Sequence, residues 1–184
     1  MKFYVMYADT CVEDYIRPGP DIQELERGCL MSEFQFLNHY RISVEADENG
    51  GMHFVDFLQE GCIPLVSDRF YRILQQASVD YLFYKPVDIT VSFLGYCEPY
   101  WLALPPRIYC VEEEKSIFRE EKTYPRELRK VEDIVIQSGS IGRYQIFQMA
   151  GTVNDEIIVT EQLKEKIESN ELTNVHFYEL KEES

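Results

Sequence analysis

The residues of this 184-residue chain that could do chemistry are its five cysteines, its three histidines and its many carboxylates. A cysteine nucleophile needs a neighbouring base or positive field to form its thiolate, and a zinc site needs ligands at short, regular spacing. The cysteines stand at positions 11, 29, 62, 97 and 110 without a CxxC pair, and the histidines at 39, 53 and 176 are scattered. We therefore predict no catalytic residue, no cofactor site and no metal site, and free thiols in a reducing compartment.

The short motifs that carry known chemistry are also missing. The chain contains no GxxxxGK[ST], GxGxxG, GxSxG or HExxH, so no phosphate cradle, nucleophile elbow or zinc helix can be argued. The run Asp47-Glu48-Asn49-Gly50 resembles the start of a calcium loop but lacks that loop's glutamate at position twelve. One alternative stays open, which is an enzyme or small-ligand site assembled from distant cysteine, histidine and carboxylate residues.

Acidic residues dominate the charge of the chain. It has 33 acidic and 18 basic residues, a formal net charge of −15. Nucleic acids and anionic membranes are bound through basic surfaces, so both are excluded as expected partners. A negative exterior instead suits a basic protein partner, although a merely solvated acidic face is the alternative interpretation.

The densest acidic zone lies in the C-terminal half of the chain and ends at Glu132 and Asp133. Together with the only tryptophan, which is the kind of residue that anchors interfaces, its earlier members are our candidate partner-binding residues. These are Glu112, Glu113, Glu114, Glu120, Glu121 and Trp101. For the tryptophan, a packed core position is the alternative.

Two stretches follow one design of strand, capped helix and strand. In the first, Ser67 is the predicted N-cap after a short apolar run, and Phe70, Ile73, Leu74 and Ala77 have helical spacing. In the second, Thr160 is the predicted N-cap after residues 157–159, and Leu163 and Ile167 follow four residues apart. Their alignment predicts two similar strand–helix–strand units that act as scaffold.

The rest of the chain reads mostly as strands. Asn49-Gly50 predicts a hairpin between residues 40–46 and 52–58, and Asp21 is a possible cap for a short helix over residues 22–27. Because strands and helices do not alternate regularly, we expect an α+β fold, a mostly antiparallel sheet with two or three short helices. Residues 1–184 are expected to form a single domain or one domain with two lobes, about 1–96 and 97–184. Neither a signal peptide nor a long apolar span is visible, so we expect a cytoplasmic protein.

Several segments carry a resemblance to a known family. They are residues 64–70 (PLVSDRF), 107–112 (RIYCVE) with Ser116, 146–151 (IFQMAG), 157–164 (IIVTEQLK) and 172–177 (LTNVHF). In these segments the chain resembles the Imm11-type immunity proteins of bacterial polymorphic toxin systems, also described as the DUF1629 or Imm43-like group. The resemblance covers about the last two thirds of the chain, and Asn174 stands where the family often has glycine.

The resemblance implies an immunity protein that binds a cognate toxin and blocks it, without catalysis. No catalytic residue is carried over from the family, and the identity of the toxin does not transfer. The acidic charge suits a basic nuclease as that toxin, because a nuclease needs a positive surface for its own substrate. Oligomeric state is not indicated by the sequence.

Overall fold

A computed structural model describes residues 1–19, 22, 42–119 and 129–181 of the protein. Its strands and helices within these ranges confirm the α+β class. The strands of the first part are β1 Phe3–Tyr7, β2 Ile42–Glu45, β3 Phe57–Glu60, β4 Ile63–Ser67, β5 Phe83–Val91 and β6 Tyr96–Leu104, with helix α1 Asp68–Gln76 between β4 and β5. The later elements are β7 Arg107–Ile108, β8 Ile117–Arg119, β9 Lys130–Asp133, β10 Ile146–Met149, β11 Ile157–Thr160, α2 Glu161–Glu168 and β12 His176–Glu179. Single 3-10 turns occupy Ser92–Leu94 and Ser138–Ser140.

The chain forms two compact units that are interleaved in sequence. The first unit comprises Met1–Tyr7, Pro105–Ser169 and Phe177–Ser184, and the second comprises Ala8–Leu104 and Asn170–His176. That residues 1–184 form a single domain, or one domain with lobes of about 1–96 and 97–184, stays a prediction.

The first unit is built on a sheet with strand order β12-β1-β11-β10-β7. Strand β1 pairs antiparallel with β11, from Phe3 opposite Thr160 to Met6 opposite Ile157. Alternate residues of these strands enter a buried cluster with β9 and β10, which is the period-2 pattern of a sheet. The cluster includes Phe3, Val5, Val131, Phe147, Ile158 and Leu180.

The second unit has a sheet with strand order β2-β5-β6-β4-β3. Strands β5 and β6 form a long antiparallel hairpin from Phe83 opposite Leu104 to Val91 opposite Tyr96. Gly95 lies in the turn of this hairpin with a φ of 62°, which a residue without Cβ adopts at little cost. One face of the sheet is buried through Leu65, Val87, Ile89 and Leu102, and Phe70, Ile73 and Leu74 of α1 are also buried.

The hairpin predicted at Asn49-Gly50 is wrong. Strand β2 pairs with β5 in parallel, Ile42 opposite Val87, and β3 pairs with β4. A turn does form, since the Gly50 N–H donates to the Asp47 carbonyl at 2.9 Å. After this turn the chain packs against the backbone of Asp14 and does not pair with β2. The contact is so close that a Cβ added to Gly51 would lie 1.9 Å from the Asp14 carbonyl carbon.

Both helices begin at the residues predicted to cap them. The Phe70 N–H donates to the Ser67 hydroxyl at 3.1 Å, and the Leu163 N–H to the Thr160 hydroxyl at 3.5 Å. Each acceptor satisfies an amide that has no partner within the first helical turn. That the two stretches are copies of one design stays a prediction. The helix expected over residues 22–27 lies, apart from Ile22, outside the described residues.

A buried carboxylate connects three parts of the second unit. Asp56, which is 8% exposed, accepts from the Ser67 hydroxyl at 2.6 Å through Oδ1. Its Oδ2 accepts from the Thr173 amide at 2.9 Å and the Thr173 hydroxyl at 3.0 Å, and lies 3.5 Å from Nη1 of Arg69. These donors compensate the desolvation of the carboxylate, and they attach residues 170–176 to strands β3 and β4.

The next residue, Asn174, adds a second attachment. Its φ of 60° is in the left-handed region, which favours glycine or asparagine and explains why glycine suits this position in the family that the chain resembles. The side chain accepts from the Asp9 N–H at 2.9 Å and donates to the Phe57 carbonyl at 3.0 Å. Asparagine therefore supplies both the conformation and side-chain hydrogen bonds that glycine lacks.

We expect Asp56→Ala to lower the free energy of unfolding by about 2–4 kcal/mol, because the Ser67 and Thr173 donors lose a charged acceptor. Urea denaturation followed by circular dichroism measures the change. The control is Asp80→Ala, an exposed carboxylate of the same unit, which should shift stability by less than about 0.5 kcal/mol. Equal effects of the two substitutions would show that Asp56 does not hold the unit together.

Candidate functional site

The predicted acidic residues begin in a tightly bonded turn of the first unit, which we call the acidic turn (residues 112–116). Just before it, Val111 bridges Ile136, and the Glu112 N–H donates to the Val135 carbonyl at 2.8 Å. The Glu112 carbonyl then accepts from the Ser116 N–H at 3.0 Å. The backbone that carries Glu113 and Glu114 is thus closed on itself.

Ser116 fastens the end of the acidic turn. Its hydroxyl accepts from the Val135 N–H at 3.1 Å and lies 3.4 Å from the Val135 carbonyl, to which it donates. The side chains of Glu113 and Glu114 are exposed and that of Glu112 is half-buried. A fixed backbone suits recognition, because a partner then has to order only the side chains and not the backbone that carries them.

Glu113 has an ion-pair partner within the unit. Its Oε1 accepts from the guanidinium of Arg129, and that guanidinium also lies 4.0 Å from the centroid of the Phe118 ring. A cation above an aromatic face is attracted by the ring. Arg129 therefore joins the acidic turn to β8. Because its positive charge offsets that of Glu113, Glu113 adds less to the negative potential of the surface than an unpaired glutamate would.

Two further carboxylates of the predicted acidic zone are paired as well. Glu132 lies 3.4 Å from Arg119, and Asp133 pairs with Lys181. Such exposed pairs add little stability, but they reduce the local negative potential. Glu120 and Glu121 lie outside the described residues.

Beside the acidic turn is a depression whose walls include large apolar side chains. Tyr109 is 81% exposed, and its ring lies over Gly151, where an added Cβ would be 3.1 Å from the ring. The nearby Ile117 is 54% exposed. The depression is lined by Tyr109, Glu113, Phe118, Arg129, Gln137 and Gly151, so charged, aromatic and amide groups face one opening.

Trp101 belongs to the second unit and lies outside this depression. It is half-buried and stacks on Tyr71, with ring centroids 4.4 Å apart and planes at 15°. Its indole Nε1–H donates to Oδ1 of Asp68 at 3.4 Å. Trp101 thus has both a packed and an exposed part, which is compatible with a core position as well as with an interface anchor.

The thiol and imidazole groups of the described residues do not form a catalytic pair in a cleft. Cys110 is 1% exposed, and burial raises the pKa of its thiol from 9.0 to about 12, which keeps it protonated at neutral pH. Nε2 of His53 lies 3.1 Å from Oδ2 of Asp14, but these side chains are 68% and 67% exposed. That pair is on open surface rather than in a cleft. Cys29 and His39 lie outside the described residues.

Metal binding has no structural support in the part of the chain that the structure describes. No group of three or more histidine, cysteine or acidic side chains in these residues could hold a metal ion. In the same residues, no helix is both long and apolar enough to cross a membrane.

Sequence reasoning missed the apolar half of the candidate surface. Tyr109 and Ile117 flank the predicted acidic run, and Arg129 follows it, but they are not among the predicted contact residues. The sequence signal that could have indicated these residues is their position next to the acidic run, since aromatic side chains beside a polar rim are typical of interfaces.

The site thus combines an ordered acidic turn with exposed aromatic and aliphatic side chains. In the comparison with known families, residues 10–182 match the immunity protein family Imm11, and the chain belongs to that family. This confirms the resemblance noted in the sequence. Immunity proteins are generally not enzymes. A comparison with curated proteins finds no match.

The raised pKa of Cys110 predicts a low thiol reactivity. At pH 8, folded protein should alkylate far more slowly at Cys110 than at exposed Cys97, because burial both shields the Cys110 thiol from the reagent and raises its pKa from 9.0 to about 12. Iodoacetamide labelling with peptide mass mapping measures both rates, and the unfolded chain in urea is the control, where the two rates should converge. Fast labelling of folded Cys110 would instead favour the catalytic alternative.

Proposed function

We propose that this protein neutralises a cognate bacterial toxin by binding it stoichiometrically in the cytoplasm. The observation that carries this proposal is membership of the Imm11 immunity protein family, which spans residues 10–182. The mechanism is occlusion, in which the bound protein covers the surface that the toxin needs for its own activity.

A basic toxin domain is the partner that the charge supports. The chain has a net charge of −15, and opposite charge accelerates association between proteins. Nuclease toxins have positive surfaces because they bind phosphate backbones. A nuclease is therefore the proposed class of toxin.

The proposed docking surface is the acidic turn with Tyr109 and Ile117. Charged residues at the rim of an interface mainly accelerate and orient the encounter, whereas buried aromatic anchors supply most of the affinity. In this surface Glu114 supplies exposed charge and the 81% exposed Tyr109 supplies the anchor. Glu120 and Glu121 extend the acidic run in sequence.

The function is tested with the product of the neighbouring gene. Co-expression should protect cells from that product, and size-exclusion chromatography with light scattering should detect a complex of fixed stoichiometry. The absence of both protection and a complex would count against toxin neutralisation.

Charge reversal tests the docking surface. We expect Glu114→Lys to slow association with the toxin about three- to tenfold at low salt and to flatten its salt dependence, because the steering charge changes sign. Stopped-flow or surface plasmon resonance measures the rate. Reversing Glu112, Glu113 and Glu114 together should slow it further, although Glu113→Lys also breaks the pair with Arg129.

The matched control for these reversals is Glu165→Lys. Glu165 is an exposed residue of α2 in the same unit, so the substitution changes the net charge equally at another place. An association rate that falls equally in both variants would assign the effect to overall charge and would remove the acidic turn from the interface.

Trp101 is the second proposed contact. Because it is the only tryptophan, fluorotryptophan labelling of this chain places one fluorine probe, which unlabelled toxin does not obscure. We expect the fluorine NMR signal to shift on complex formation, while Tyr71 keeps the ring stacked. A signal that stays unchanged in a saturated complex would place Trp101 outside the interface.

A further inference from the structure

At one end of the first unit's sheet, a carboxylate and two tyrosine rings lie in one row across three strands. Met6 is opposite Ile157, so the same register extended by one residue sets Tyr7 opposite Glu156. The Tyr7 ring lies 5.9 Å from that of Tyr178, between centroids. Along a strand, residues two positions apart lie on the same face of the sheet. Tyr7, Glu156 and Tyr178 are each two positions from a member of one buried cluster, namely Val5, Ile158 and Leu180, so all three lie on the face of that cluster.

The carboxylate of this row is positioned by a buried amide. Nδ2 of Asn154 donates to Oε1 of Glu156 at 3.1 Å. Asn154 is 4% exposed, and it is held in turn by the backbone of Val131, whose N–H donates to its Oδ1 at 2.8 Å and whose carbonyl accepts from its Nδ2 at 2.9 Å. Because both sides of the Asn154 amide are bonded, its orientation is fixed and so is the direction of the Glu156 carboxylate.

The second oxygen of Glu156 has no such support. Oε2 is shielded from solvent and accepts no hydrogen bond from the described residues. A shielded carboxylate oxygen without a donor is costly, and a charged donor would relieve that cost most effectively. Lysines of the same unit bond to other carboxylates, Lys2 to Glu179 and Lys164 to Glu168.

The two rings give the row a preference for a cation. Tyr7 is 40% and Tyr178 48% exposed, so a partner can reach both. Partial burial raises the pKa of the Tyr178 hydroxyl, and electrostatic interactions with Glu156 and Tyr7 raise it further. These interactions agree with the short distances between the three groups. Aromatic faces attract cations, and the planar guanidinium stacks on them while it donates to a carboxylate.

We propose that Glu156, Tyr7 and Tyr178 form a receptor for an arginine side chain of a partner protein. The guanidinium lies against the Tyr178 ring, which moves aside to admit it, and donates to Oε2 of Glu156. That the arginine comes from the toxin rests on the proposed function. The receptor itself does not, because it follows from the geometry of the first unit and from a carboxylate oxygen that accepts no hydrogen bond from the described residues.

The receptor is tested with Nα-acetyl-arginine methylamide as the probe. Tyrosine ring NMR signals of the full chain are followed during titration, against sodium chloride at the same ionic strength. We expect saturable shifts of the Tyr7 and Tyr178 signals, with an affinity on the order of millimolar for a single side chain. Shifts that do not saturate, or that sodium chloride reproduces, would overturn the proposal.

Substitutions assign the binding to the carboxylate. Glu156→Gln keeps an oxygen for Asn154 and should weaken probe binding about tenfold, whereas Glu165→Gln, with the same loss of charge on α2, should leave it unchanged. Equal weakening in both variants contradicts the receptor. Equal affinity for the corresponding lysine derivative contradicts the assignment to a guanidinium.

The thermal melting temperature of the Glu156→Gln variant shows whether this substitution disturbs folding. If it does, a substitution of the Tyr178 ring tests the receptor instead. Tyr178→Ala should weaken the probe about tenfold and Tyr178→Phe should not, because the ring face and not the hydroxyl carries the attraction. Equal binding by the alanine variant would overturn the proposal. Because the probe is not the toxin, the two proposals are tested separately. A probe that does not bind would contradict the arginine receptor but not toxin neutralisation, and the absence of a toxin complex would contradict toxin neutralisation but not the receptor.

Discussion

The buried carboxylate of Asp56 is the interaction on which the second unit depends. A charge can be withdrawn from water only where donors surround it, and here Ser67 and Thr173 supply them. The Ser67 hydroxyl has two roles, because it also accepts from the Phe70 N–H at the start of α1. The end of β4, the beginning of a helix and a segment more than one hundred residues later in the chain are therefore parts of one hydrogen-bonded network.

The first unit uses backbone and amide bonds in a comparable way to present charged side chains. Ser116 holds the acidic turn to Val135, and Asn154 holds Glu156 while it bonds to Val131. In both places the carboxylates are presented by a rigid frame instead of a mobile segment. Rigid presentation of charged side chains lowers the entropy that would be lost when a partner binds them.

The candidate surface was only partly predictable. Net charge and the run from Glu112 to Glu114 are properties of the sequence, and they indicated an acidic exterior. How much of that charge is free depends on partners such as Arg129, which is sixteen residues from Glu113 along the chain. Tyr109 could not be identified as a surface residue from the sequence, because only the fold places its ring on the surface above Gly151.

The sequence by itself determined the features that arise within a few residues. The caps Ser67 and Thr160 and the helical spacing after them depend on neighbouring amides, so local chemistry was sufficient to predict them. Tertiary structure alone decided which strands pair: β2 lies parallel to β5 and not in the hairpin that Asn49-Gly50 indicated. Long-range folding also brings the loop residues Asp56 and Thr173 together, and the register of β1 with β11 sets Tyr7 opposite Glu156. Such contacts between distant residues are set by the packing of the whole core and not by any local pattern.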